Sequence, residues 1–157
     1  MSNHNYEALS KHILALSDAD SFTVAKFEWA VDGVYFNDEW DTCPCGTPIK
    51  ELCYLKNIKN GNKTYVGNVC VKQFFNIDKS SLFKALDRIR TASASRPNIE
   101  LFEYAKSKGY LYNGNEEEFY FSQIGKRRDL SIKQQEWLMK INRRIVSQTV
   151  VSIKTRK

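Results

Sequence analysis

Histidine is scarce in this 157-residue chain, and cysteine is absent outside one short segment. The two histidines, His4 and His12, lie near the N-terminus and belong to no His-Asp or metalloprotease motif. An HNH-type nuclease would need histidines after Cys70, and the sequence has none there. The glycine patterns of phosphate loops, dinucleotide-binding loops and nucleophile elbows are also missing. We therefore predict that the protein is not an enzyme, and we expect no small-molecule substrate.

Long apolar stretches are missing as well. No segment is apolar enough to span a bilayer, and residues 1–6 lack the charged, apolar and small-residue order of a signal peptide. Hydrophobic residues make up 42% and aromatic residues 13% of the chain, which is typical of a globular protein. We expect a cytoplasmic protein without membrane contact. Its thiols would then stay reduced, and this favours metal binding over disulfides.

What the sequence does have is a cluster of all four cysteines. Cys43-Pro-Cys45-Gly46 is typical of a zinc knuckle, because Gly46 can adopt the positive φ that turns backbone N–H groups toward the sulfurs. Cys70 follows at the expected start of a helix, where the amide dipoles favour a thiolate. Four thiolates leave no open position, so the predicted Zn²⁺ is structural. The alternatives are four ordinary thiols, or two disulfides in a secreted protein. The predicted ligands are Cys43, Cys45, Cys53 and Cys70.

Cys53 is the open question within this set. It lies on a predicted strand that leads away from the knuckle, and standard zinc sites use paired cysteines that are closer in sequence. If Cys53 were a core thiol, the fourth ligand would be His4, His12, an acid such as Asp41, or water. The four cysteines match the four coordination positions of a tetrahedral zinc ion, and this favours Cys53 as the fourth ligand.

The fold class predicted from sequence periodicity is α+β, with a zinc-stapled β-hairpin of treble-clef-like layout. Apolar spacing predicts a helix over residues 6–16, and alternation over residues 22–36 predicts a strand pair that turns at Asp32-Gly33. A strand over residues 49–58, a turn at Asn60-Gly61 and a return strand over residues 63–66 form the hairpin. A helix over residues 69–75 follows, with Asn68 as its cap.

The C-terminal half is predicted to be helical. Asp78 is expected to cap a helix over residues 79–90, and a second helix is expected between Pro97 and Gly109. A third begins at residues 115–118. Ser131 and Gln134 predict a capping box for the last helix, whose inward face carries Trp137, Leu138, Ile141 and Ile145. The predicted segments are an N-terminal helix (1–21), a zinc module (22–76), a helical region (77–147) and a basic tail (148–157).

Charge is distributed unevenly along the chain. The total is +6, but residues 1–119 hold 14 Lys/Arg and 16 Asp/Glu, while residues 120–157 hold 10 Lys/Arg and only 2 Asp/Glu. Such a basic end attracts phosphate backbones or acidic protein surfaces, although a solvated basic face without a partner is the alternative. The predicted nucleic-acid contacts are Lys126, Arg127, Arg128, Lys133, Lys140, Arg143, Arg144, Lys154, Arg156 and Lys157.

Aromatic residues also bear on nucleic-acid binding, because bases stack on exposed rings. The sequence favours a core location over a stacking role for the aromatic set Tyr35, Tyr54, Tyr65, Phe74, Phe75 and Tyr120. A second basic group lies on the hairpin and the following helix, and it consists of Lys56, Lys59, Lys63 and Lys72.

Two segments resemble proteins of a known group. Cys43-Pro-Cys-Gly46, Cys53-Tyr-Leu-Lys-Asn57 and Val66-Gly-Asn-Val-Cys70 are similar to small zinc-finger proteins of tailed bacteriophages and bacterial genomes. The stretch over residues 130–141 resembles a C-terminal helix of phage-associated proteins. The resemblance implies a treble-clef-like site at the four cysteines and a phage setting, hence the host bacterial cytoplasm. It implies no activity.

Taken together, the sequence predicts a non-enzymatic, zinc-containing accessory protein that binds nucleic acid, with DNA favoured over RNA. The alternative is a phage effector that binds and inhibits a host protein, such as RNA polymerase or a defence nuclease. The basic C-terminal segment is compatible with both, because it attracts phosphates and acidic protein surfaces alike.

Overall fold

The protein is described here by a computed structural model covering residues 5–126 and 128–151. These residues form a three-stranded antiparallel sheet and seven α-helices, which confirms the α+β prediction. The chain divides into two compact units, Met1–Ser80 and Ser81–Lys157. Among the helices of the described residues, none is both long and apolar enough to cross a bilayer.

The first unit contains the whole sheet, in the order β1-β2-β3. Its elements are α1 (Tyr6–Ala15), α2 (Phe22–Ala25), a 3-10 turn (Lys26–Glu28), β1 (Trp29–Thr42), β2 (Pro48–Asn57), β3 (Lys63–Gly67) and α3 (Asn68–Phe75). The predicted first helix, the hairpin of β2 and β3, and the helix that follows it are confirmed. Gly67, rather than Asn68, occupies the N-cap position of α3.

The predicted strand pair over residues 22–36 is wrong. Asp32-Gly33 does not turn the chain; it forms an irregularity within the single strand β1. Val31 pairs with Leu55 and Gly33 pairs with Tyr54, so Asp32 is the additional residue of a β-bulge. The strand β2 pairs with β1 both before and after the bulge. Because of this pairing, β1 continues through Asp32-Gly33 as one strand and does not turn back.

One face of the sheet belongs to the core of the first unit. Val34, Cys53 and Val66 are paired across the three strands, and all three are buried. His12 of α1 reaches this side, where its Nε2 lies 2.6 Å from Thr64 Oγ1. The helix α3 also packs against β2 and β3. The helices of the first unit therefore cover this face of the sheet.

A buried carboxylate, Glu28, ties the loop after α1 to the end of β2. One oxygen accepts hydrogen bonds from the Asn57 side chain at 2.8 Å and the Asp18 backbone N–H at 2.9 Å, and the other accepts from the Ala19 N–H at 2.8 Å. The bond from Asn57, with the backbone bonds, lowers the pKa of Glu28 below its usual value. The sequence analysis did not identify this residue.

Gly67 provides a test of packing beside the cysteines. A Cβ added there would lie 2.8 Å from Ile49 Cγ2, closer than atoms can pack. We expect Gly67→Ala to lower the free energy of unfolding by about 1–3 kcal/mol, measured by urea denaturation. If the clash with Ile49 causes this loss, the effects of Gly67→Ala and Ile49→Ala should not be additive. The double variant should then lose less unfolding free energy than the sum of the losses in the two single variants. Strict additivity would contradict the steric explanation.

The second unit is helical in the described residues. Its elements are α4 (Ser80–Thr91), which starts at the unit boundary, α5 (Ile99–Lys108), α6 (Asn115–Ser122) and α7 (Ile132–Val146). The predicted stop at Gly109 is confirmed, with φ +79°. The capping box of Ser131 and Gln134 is also confirmed. Leu138, Ile141 and Ile145 of α7 are buried, as the sequence predicted.

A buried polar network also fixes α7. The Tyr120 hydroxyl of α6 donates to the Asn142 side-chain oxygen, and the Asn142 amide donates to the carbonyls of Ser93 and Ser95 at 2.7 and 2.8 Å. Every polar atom in this chain of contacts therefore has a partner, and these hydrogen bonds offset the cost of removing the atoms from water. The network joins α6, α7 and the loop after α4.

Candidate functional site

The first two cysteines are held by a tight turn between β1 and β2. The Cys43 N–H donates to the Thr47 carbonyl at 2.9 Å, and the Gly46 N–H donates to the Cys43 carbonyl at 2.7 Å. Gly46 adopts φ +96°, a conformation that side chains rarely allow. This geometry confirms the predicted turn and orients Cys43 and Cys45 into one buried space.

Cys70 enters that space from the first turn of α3. The sulfurs of Cys43, Cys45 and Cys70 all lie within 4.8 Å of one another, and those of Cys43 and Cys70 are 3.7 Å apart. Thiolates bound tetrahedrally to zinc, at about 2.3 Å each, are about 3.8 Å apart. The three residues are fully buried in the protein. This donor set fits a metal ion and can hold one.

The polar surroundings favour a charged sulfur at this place. A hydrogen bond from Cys70 is the main reason that the pKa of Cys43 falls to about 5, against the opposing effect of burial. Backbone N–H groups of Cys45 and Gly67 contribute, the latter at 3.4 Å from the sulfur. The same bond raises the pKa of Cys70, since its proton is shared with the neighbouring thiolate. A metal ion would take the place of that proton.

Cys53 is not part of this group. It lies in the middle of β2 between Val34 and Val66, and burial raises the pKa of its thiol to about 12. A neutral thiol among apolar side chains behaves as a small core residue. The structure thus brings together three of the four predicted ligands.

The candidates for a fourth ligand have other contacts. His12 bonds to Thr64, and Asp41 accepts from the Tyr65 hydroxyl at 3.1 Å. His4 lies outside the described residues. His4 and a water molecule therefore both remain candidates from the sequence analysis.

The ten predicted basic contacts separate into three groups. Arg127, Lys154, Arg156 and Lys157 lie outside the described residues. The predicted contacts with exposed side chains are Lys126, Arg128, Lys133, Lys140 and Arg143. Arg144 alone among the described ones is buried.

Arg144 corrects the predicted contact set, because it is not available to a phosphate. Its guanidinium forms a buried ion pair with Glu116 of α6 and donates to the Tyr110 carbonyl at 3.0 Å. Glu116 also accepts from the Trp137 indole N–H at 3.2 Å. The ring of Trp137 is half-buried and stacks on Phe119, with centroids 4.2 Å apart. Arg144 therefore stabilises the packing of α7.

The structural role of Arg96 could not be predicted from the sequence, because a single arginine in a linker of small residues belongs to no recognisable motif. Its guanidinium donates to the carbonyls of Lys126 and Arg128. Both carbonyls belong to the basic loop before α7, while the side chains of Lys126 and Arg128 remain exposed. Arg96 thus fixes the backbone of a loop whose charges face solvent.

Two of the tyrosines predicted as core residues are on the surface. Tyr35 is 37% and Tyr54 is 39% exposed, whereas Phe75 and Tyr120 are buried as expected. Tyr65 and Phe74 are half-buried. The alternation of β1 and β2 places these two tyrosines on the side of the sheet opposite the core.

Comparison with protein-family models, with curated proteins and with solved structures finds no match. The resemblance to phage zinc-finger proteins stays a prediction from the sequence.

Proposed function

We propose that the protein is a non-enzymatic, zinc-containing accessory protein that binds nucleic acid, with DNA preferred. The observation that carries this proposal is the set of exposed basic side chains in residues 120–151. Only Asp129 and Glu136 oppose them in this segment. A surface with this excess of positive charge attracts phosphates and releases their counterions. We also propose a phage origin and action in the bacterial cytoplasm, on the strength of the sequence resemblance.

The helix α7 supports the proposal through the placement of its charges. Lys140 and Arg143 project from the side opposite Leu138 and Ile145, which are buried. Lys133 lies near the same side, since seven residues make almost two helical turns. The helix therefore presents cations outward along about 15 Å of its length. Contacts of this kind hold phosphate backbones without reading the base sequence.

We propose zinc as the metal, in a structural role. Three cysteine sulfurs are the ligand set that favours Zn²⁺ over oxygen-preferring cations. The knuckle, the hairpin of β2 and β3, and the ligand at the start of α3 follow one another in treble-clef-like order. The bound ion would hold these three elements together, and the fourth ligand would complete its shell.

Charge reversal tests the proposed surface. We expect wild-type protein to bind random duplex DNA with a log affinity that falls linearly with log salt. The double variant Lys140→Glu/Arg143→Glu should weaken binding and flatten that slope by about two units, one per lost phosphate contact. The matched control is Lys84→Glu/Arg88→Glu, which changes the same charge on exposed positions of α4. Equal losses in both variants would show a net-charge effect and contradict a specific surface.

A second candidate function is that of an effector that binds a host protein, such as RNA polymerase or a defence nuclease. Two neighbouring apolar side chains on the surface of the first unit favour it. Phe27 is 74% and Ile58 is 70% exposed, and the Ile58 N–H donates to the carbonyl of Glu28, the residue after Phe27. Affinity capture from host lysate, with and without nuclease, separates the two functions. A stoichiometric protein that survives nuclease, combined with no DNA binding by the pure protein, would favour the effector.

A further inference from the structure

The face of the sheet opposite the core carries a row of tyrosines. Tyr54 of β2 pairs directly with Tyr65 of β3, and Tyr35 of β1 pairs with Leu52, two residues from Tyr54. Residues that pair directly, or lie two apart on a strand, point to the same side. The three rings therefore lie on neighbouring positions of one surface. The rings of Tyr54 and Tyr65 are 6.4 Å apart in an edge-to-face arrangement.

Two of the three rings are exposed to solvent. Tyr54 is 39% and Tyr35 is 37% exposed, whereas Leu52, which pairs with Tyr35 on the same face, is buried beneath them. The hydroxyl of Tyr65 is held by the Thr42 carbonyl at 2.8 Å and by Asp41. These bonds hold the Tyr65 ring in place at the edge of the surface. The rings of Tyr35 and Tyr54 beside it are the exposed ones.

Lysines flank the tyrosines on the same face. Lys56 lies two residues beyond Tyr54 and pairs directly with Lys63 of β3, and both side chains are exposed. Lys50 lies four residues before Tyr54, on the same side of β2, with its ammonium 4.8 Å from the ring centre of Trp40. Like charges on directly opposed residues repel each other, so the Lys56–Lys63 pair does not stabilise the sheet. An anion bound between them would remove that repulsion.

We propose that this tyrosine face binds single-stranded nucleic acid, with bases stacked on Tyr35 and Tyr54 and phosphates beside Lys56 and Lys63. Exposed rings on a sheet provide stacking platforms that accept any base, and flanking cations follow the backbone. Paired bases cannot reach such rings, so the surface distinguishes single strands from duplexes. The inference deepens the proposed function and rests on it, but it uses a different surface from the helix α7.

The test compares binding of a mixed-sequence single strand of about 12 nucleotides with binding of its duplex, using fluorescence anisotropy on the metal-loaded chain of residues 1–157. Single-stranded DNA and RNA form two arms. Tyr35→Ala/Tyr54→Ala should weaken single-strand binding by about tenfold or more, because one stacked base contributes roughly 5- to 150-fold. Duplex affinity should change by less than about twofold, within the effect expected of a substitution away from the phosphate contacts.

Two variants keep the test independent of folding. Tyr35→Phe/Tyr54→Phe retains both rings and should bind single strands as the wild type does. Lys56→Glu/Lys63→Glu should weaken single-strand binding and flatten its salt dependence. The matched control is Phe27→Ala, which removes a 74%-exposed ring that also has a lysine, Lys26, 5.4 Å from its centre but lies outside the sheet.

The outcomes separate this inference from the proposed function. Unchanged single-strand affinity in the alanine pair, or an equal loss in Phe27→Ala, overturns the inference. If Lys140→Glu/Arg143→Glu weakens duplex binding in the same series, the proposed function nevertheless stands. If only the tyrosine and lysine variants of the sheet weaken binding, the tyrosine face is supported and the α7 surface is not. A wild-type protein that binds neither probe overturns both.

Discussion

Cys70→Ser is expected to abolish metal binding and to unfold at least residues 43–75. The wild type should hold one tightly bound Zn²⁺ per chain, measured by elemental analysis after exhaustive dialysis. Because a preformed site rarely survives unfolding, the free energy of binding, about 10–16 kcal/mol for structural zinc, is available to folding. Cys70 joins α3 to the turn that holds Cys43, at a sulfur–sulfur distance of 3.7 Å. Losing it disconnects the helix from the turn.

Cys53→Ala is the matched control, because it removes a cysteine from the same unit without touching the cluster. The variant should retain one metal ion per chain and lose only a small amount of stability, about 1 kcal/mol, from a small cavity. Hydrogen exchange of residues 43–75 should stay near wild type in this variant and rise in Cys70→Ser. Loss of the metal in both variants would make Cys53 a ligand and contradict the three-cysteine site. Finding no bound metal in the purified wild-type protein would contradict the proposed metal site.

The cysteine site was predictable because its determinants are local. The turn at residues 43–46 needs only a glycine at the position with φ +96°, and the sequence shows that glycine. Cys70 sits at a helix start that the preceding hairpin predicts. The role of Cys53 was not predictable from spacing, because only the pairing of β2 with both neighbours shows that its side chain faces Val34 and Val66.

The error at Asp32-Gly33 has a similar origin. A β-turn and a β-bulge both use such a dipeptide, and the residues on either side alternate in both cases. The partner strand decides between them, and here β2 pairs with β1 before and after the irregularity. The exposure of Tyr35 and Tyr54 depends on the same pairing. Neither the length of β1 nor the exposure of Tyr35 on its outer face can be derived from residues 22–36 alone.

Arg144 shows what charge counting cannot detect. Its position in the basic C-terminal segment predicted a phosphate contact, yet its partner, Glu116, is 28 residues away in sequence. Glu116 is one of three consecutive acids in the first turn of α6, where a negative charge is favoured by the helix dipole whether or not it has a partner. Only the packing of α6 against α7 shows that one of them neutralises an arginine.

Arg144→Ala is expected to destabilise the second unit by about 3–5 kcal/mol, because it leaves the Glu116 carboxylate buried without its counterion. Both residues are less than a tenth exposed. Glu116 would keep hydrogen bonds from the Tyr112 backbone N–H at 2.8 Å and from the Trp137 indole, which do not neutralise its charge. The Tyr110 carbonyl would also lose its donor. Urea denaturation monitored in residues 81–157 by hydrogen exchange measures the loss.

Arg143→Ala is the control, since the neighbouring arginine is exposed and its removal should change stability by less than about 0.5 kcal/mol. The two variants also separate structure from function. Arg143→Ala should weaken DNA binding at unchanged stability, whereas Arg144→Ala should lower stability at unchanged metal content. The double variant Glu116→Leu/Arg144→Met should recover much of the stability, because apolar residues of similar volume often replace a buried pair without loss. Equal stability of the two single variants, both at the wild-type level, would show that the buried pair contributes nothing to folding.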